Sequence, residues 1–142
     1  MNKTLKTIFK YLILFIIGGS GYYGLEYMWR GFSDWTMFVT SGVCYLIIGG
    51  INEFLTYEMP LWKQCLIGSV VITIFEFIVG CIVNLWLGWN VWDYSETPFN
   101  ILGQICLPFS LLWFVISGLV IITDDWFRCW WFGEEKPHYK LK

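Results

Sequence analysis

Three glutamates lie where a carboxylate is least welcome. Glu26, Glu53 and Glu76 sit inside or at the ends of long apolar runs. Glu76 is the deepest, flanked by Ile72, Ile74, Phe75, Phe77 and Ile78. An acid at the centre of a spanning helix costs about 2.5–3.5 kcal/mol on insertion scales. Such a residue must face a bundle interior and find a partner there, or be neutral. It can then serve as cation ligand, as proton carrier or as packing glue.

A second concentration of polar groups lies in residues 89–104, WNVWDYSETPFNILGQ. Trp92, Asp93, Tyr94 and Ser95 set an acid and two hydroxyls beside an aromatic anchor. Asn100 and Gln104 are four apart, so on a helix both would point one way. Pro108 lacks the N–H that would have met the Gln104 carbonyl. A freed carbonyl beside a carboxamide is one way to build a small polar site inside a membrane. The plain reading of the same stretch is an outer cap, with Asp93 as turn former and the tryptophans as interface anchors.

These residues need elements to hold them. A spanning helix takes about 20 mostly apolar residues. Four runs qualify, at about residues 11–29, 35–55, 61–86 and 98–122. They are continuous, not alternating at period two, which favours helices over a barrel. The expected architecture is all-α: one polytopic membrane domain over residues 1–142, a four-transmembrane-helix bundle with short cytoplasmic tails. Ser33 and Asp34, Pro60 and the pair Thr97-Pro98 read as start signals for the second, third and fourth helices. The first run has a basic start but no small-residue cleavage pattern, and the chain has no alanine. It reads as a retained helix.

Helical spacing gives Glu76 a companion stripe of Ser69, Thr73, Gly80 and Val83 or Asn84. Gly103, Ser110, Ser117 and Asp124 recur seven apart in the fourth run. The second run offers Gly42, Tyr45, Gly49 and Asn52, and the first Gly19, Tyr22 and Glu26. Small residues let helices approach closely, so the four stripes can enclose one polar seam. Arg30 stands four residues after Glu26, in register to neutralise it.

Composition agrees. Of 142 residues 57% are hydrophobic and only 14% charged, about half the charged share of a soluble domain. Disorder is excluded by the 21% aromatic content. Nucleic acid is an unlikely partner at net charge −2 with nine Lys and Arg. Eight of those nine (Lys3, Lys6, Lys10, Lys63, Arg128, Lys136, Lys140 and Lys142) fall on one side of the spans, against Arg30 on the other. This bias places both termini in the cytoplasm of a cell-membrane protein. Nine of ten tryptophans fall in two interface belts, and only Trp113 falls mid-span. The five cysteines form no C-x-x-C pair and read as packing residues. The one histidine, His138, lies in a tail that reads as a short solvated end. No nucleotide-binding loop, metal motif or nucleophile–base pair is present, so neither an enzyme nor a cofactor is expected.

The blocks GLEYMWRGFSDWTMF (24–38), ITIFEFIVGCIVN (72–84), WDYS (92–95) and NILGQICLPFSLLW (100–113) resemble the bacterial family described as putative ABC-transporter type IV. The resemblance covers about residues 14–125. A vertebrate group of small transmembrane proteins is similar in its acidic third helix and WDYS element. The resemblance implies a small multi-span, permease-like protein. Lacking a nucleotide-binding loop, it would need a separate ATPase subunit, and a homo-oligomer would supply more spans.

Three functions then compete. A permease-like transport protein would use Glu26, Glu53 and Glu76 as intramembrane acids, with Asp93, Asn100 and Gln104 lining the outer mouth. It predicts a water-reachable cavity touching Glu76. A non-transporting scaffold or accessory subunit predicts a dry seam with Glu76 bonded to its neighbours. A membrane-embedded lipid enzyme predicts a groove open sideways near Asp93.

Overall fold

The computed structural model describes residues 2–54 and 59–139, without the side chains of Glu53 and Phe54. Four helices carry the fold. Helix α1 (Lys3–Arg30) is capped by Asn2, whose side chain accepts from the Leu5 N–H, and ends on Gly31 at φ +79°. Helix α2 (Trp35–Gly49) starts where Asp34 accepts from the Thr36 N–H at 2.9 Å. After a turn at Gly50 comes the single turn α3 (Ile51–Phe54). Helix α4 (Leu61–Gly80) follows Pro60 and continues as a π-helical segment, Cys81–Trp86. Helix α5 (Leu107–Phe132) has Pro108 in its first turn, where a missing N–H costs nothing, and closes on Gly133 at φ +66°.

Among the described residues, three helical stretches are long and apolar enough to cross a membrane: Lys3–Arg30, Leu61–Trp86 and Leu107–Phe132. The second apolar run is divided at Gly50, and its main piece has 15 residues. That piece is about 22 Å long, against roughly 30 Å of hydrocarbon.

The fourth run departs most from expectation. No helix starts at Thr97-Pro98; residues 87–106 form a folded loop. Two short antiparallel strands lie within it, β1 (Asn100–Ile101) and β2 (Ile105–Cys106), with Asn100 opposite Cys106. Gly103, at φ +72°, lies between the strands rather than on a helix. Asn100 and Gln104 therefore do not share a helical face, and Pro108 starts a helix instead of breaking one.

Helix α1 lies along α2 and α4 along α5, while α2 touches both members of the second pair. The two ends of the chain meet at one end of the bundle, where Lys10 pairs with Glu134 at 3.2 Å. At the other end Arg30 Nη2 donates to the Val91 carbonyl at 2.9 Å and ties α1 to the loop. Met37, Val83, Val91 and Trp92 form an apolar cluster at the loop end. Cys44, Ile48, Ile51 and Ile121 form another nearer the termini.

Candidate functional site: an acid seam under a folded loop

The stripe on the third apolar run faces inward. Ser69, Glu76, Gly80, Val83 and Asn84 are all buried. Ser69 Oγ donates to the Ser110 carbonyl at 2.6 Å, and the Thr73 and Ser110 hydroxyls lie 2.8 Å apart. These bonds stitch α4 to α5 below Glu76.

Glu76 itself is 5% exposed. Its Oε2 accepts from the Tyr94 hydroxyl at 2.9 Å and its Oε1 from Trp113 Nε1 at 3.3 Å. Both donors are neutral. No basic side chain is bonded or ion-paired to Glu76 among the described residues. Rings crowd around it: Tyr94 stacks on Phe109 with centroids 4.8 Å apart, Phe109 lies 6.1 Å from Trp113, and Trp113 lies 6.0 Å from Tyr22.

The loop that carries Tyr94 is held by its own polar network. The π-helical turn brings Asn84 inward, and such turns recur at functional sites. Its Oδ1 accepts from the Val91 N–H at 2.7 Å and its Nδ2 donates to Gln104 Oε1 at 2.8 Å. Trp92 Nε1 donates to the Gln104 carbonyl at 2.9 Å, and the Tyr94 N–H to the Gly103 carbonyl at 2.7 Å. A Cβ on Gly80 would come within 2.7 Å of Gln104 Oε1 and 2.9 Å of Trp92, so only glycine admits the loop there. Asn90, Phe99 and Leu102 hold positive φ, an uncommon state for non-glycine residues and a strained one for bulky side chains.

Asp93 is exposed and forms the turn. It accepts from both the Ser95 N–H and the Ser95 hydroxyl, and these bonds hold its carboxyl below the usual carboxylate range. Asn100 Nδ2 donates to the Thr97 carbonyl at 2.8 Å and its Oδ1 accepts from Gly103 at 3.1 Å. Asp93, Ser95 and Asn100 thus fold the loop, while Tyr94 alone of the WDYS group reaches an intramembrane acid.

Glu26 lies on α1 with Arg30 at 3.5 Å, as the i,i+4 spacing requires. It also accepts from Tyr22 at 2.9 Å and Ser33 at 3.0 Å. The side chain of Glu53 lies outside the described residues.

Another polar cluster, at the termini end, was not singled out from sequence. Asp124 and Arg128 are paired at 2.7 Å and almost fully buried. Asp125 accepts from Asn52 at 2.7 Å and from Tyr139 at 3.0 Å. The tail is therefore no free solvated end; Glu134 bonds Lys10, and Tyr139 packs on the Ile48–Ile121 cluster. Asp124-x-x-x-Arg128 is a readable ion-pair spacing, but the stripe counted only Asp124.

A groove of about 470 Å³ lies between α1 and α2, lined by Ser20, Tyr23, Gly24, Trp35, Phe38 and Val39; Glu76 is not among its lining residues. Among the described residues no group of three or more His, Cys, Asp or Glu side chains could hold a metal ion.

Three apolar helical stretches of membrane-crossing length among the described residues fit a membrane protein. The chain belongs to the family described as putative ABC-transporter type IV, whose model matches residues 13–128. That match covers both acid clusters and the whole loop between them. No solved structure matches the chain.

Proposed function

We propose that this is a multi-pass cell-membrane protein with four spans, the divided α2–α3 being the short one, and with both termini cytoplasmic. It works as a permease-like transport subunit, not as an enzyme, and its ion or substrate site centres on Glu76. One observation carries the reading. Glu26 and Asp124 each have an arginine, and Asp125, whose bonded donors are neutral, lies within the field of the same Arg128; Glu76 has two neutral donors and no basic group beside it among the described residues. An acid kept only as glue in this molecule is charge-compensated; Glu76 is left to a proton or to a cation from outside the chain. Tyr94 closes the site from a loop rather than from a helix. Loop closure over a buried site is a common gating arrangement. Energy would come from a separate ATPase subunit.

The test is flux through proteoliposomes. Glu76→Gln keeps size and both hydrogen bonds, because the amide oxygen accepts from Trp113 and the amide nitrogen donates to the Tyr94 oxygen. Transport should be abolished while the variant folds and inserts. A fully active Gln variant overturns the reading. Topology is checked by an impermeant thiol reagent, which should label Glu96→Cys on intact cells and Lys140→Cys only after lysis.

A second reading, a non-transporting scaffold or accessory subunit, is favoured by the bonding of Glu76 to its neighbours. Both carboxyl oxygens of Glu76 are already bonded, as packing glue would require. It expects Glu76→Gln to be silent.

A further inference from the structure

We infer that the Glu76 site recognises a small organic ammonium ion bearing at least one N–H. The inference deepens the transport reading and rests on it. Tyr94 marks the ligand's place: its hydroxyl donates to Oε2 from the loop side, while Trp113 holds Oε1 from α5. Once Tyr94 withdraws, Oε2 is free to accept an N–H and Oε1 stays fixed. Trp113, Phe109 and Tyr22 then remain as aromatic walls, linked in sequence by their 6.1 and 6.0 Å ring contacts.

A carboxylate with aromatic walls suits an alkylammonium better than a bare metal ion. Ring faces attract the diffuse charge and the apolar carbon body at once. A sodium or calcium ion needs several oxygen ligands, and the described groups bonded to Glu76 are a phenol and an indole N–H. The indole is a donor only. An anion is excluded at this point by the carboxylate, since Arg30 is already committed to Glu26 and the Val91 carbonyl.

Two variants make opposite predictions. Protein in nanodiscs is titrated calorimetrically with propylammonium, tetramethylammonium and sodium ions. Propylammonium should bind best, tetramethylammonium weaker for want of an N–H, and sodium not measurably. Glu76→Gln should weaken propylammonium by at least about tenfold. Tyr94→Phe removes the hydroxyl that competes for Oε2, so propylammonium should bind about three- to twenty-fold tighter, the range of one intramembrane hydrogen bond. A purely structural Tyr94 would give unchanged or weaker binding, which overturns the inference. Glu76-dependent proton or sodium flux with no ammonium binding overturns the ammonium inference and leaves the transport reading standing. A parent protein that shows neither flux nor ammonium binding overturns both.

Discussion

Two acids, one towards each end of the bundle, are buried in opposite ways. At the termini end Asp124 lies against Arg128 at 2.7 Å, and the tail folds over them through Glu134 and Tyr139. At the loop end the described side chains bonded to Glu76 are a phenol and an indole. A buried ion pair is stable while both partners remain, and it fixes register more than it adds stability. A buried acid with neutral donors keeps its titratable group open to exchange with a ligand. One arrangement holds helices together, and the other is the one we propose as a site.

The largest expected effect breaks the paired end. Arg128→Leu leaves Asp124 buried without its arginine, and removing one partner of such a pair typically costs about 3–5 kcal/mol. Thermal melts in detergent should fall steeply. A melt within a degree of the parent would show that the pair adds nothing.

The same substitution type at the other end should behave differently. Glu76→Leu removes an insertion cost of about 2.5–3.5 kcal/mol. It orphans the Tyr94 and Trp113 donors, each worth about 0.6–1.7 kcal/mol in membrane helices. The two sums nearly cancel with a small surplus on the stabilising side, so the melt should hold or rise slightly. A collapse like that of Arg128→Leu would make both acids structural and erase the contrast.

The smallest effect is confined to the loop surface. Ser95→Ala removes a hydroxyl donor from Asp93, whose carboxyl should move back up toward the ordinary range in an NMR titration. Because that carboxyl is held low in the folded loop, its contribution is present above the unfolded value, about pH 4, and is lost as pH falls through the lower folded value. The loop of the Ser95→Ala variant should therefore lose part of this acid sensitivity. An unchanged titration would remove Asp93–Ser95 from the forces shaping the loop.

Much of the framework was legible from residue type and spacing. The third apolar run is a helix over the expected bounds because about 20 apolar residues in lipid satisfy their backbone only that way. The inward face of Ser69, Thr73, Glu76 and Gly80 follows from helical period alone. So does the Glu26–Arg30 pair, which is local along one helix.

What tertiary structure decided is everything that joins distant positions. Residues 98–106 are apolar enough to resemble a helix start, and local pattern cannot see that the Gln104 carbonyl meets Trp92 and the Gly103 carbonyl meets Tyr94. Those bonds, with Asn84 turned inward by the π-helical segment, fold the stretch into a loop and place α5 nine residues later than expected. The partners of Glu76 lie 18 and 37 residues away in sequence. A side chain's need for a donor is written in its chemistry, but which donor answers depends on how the helices pack.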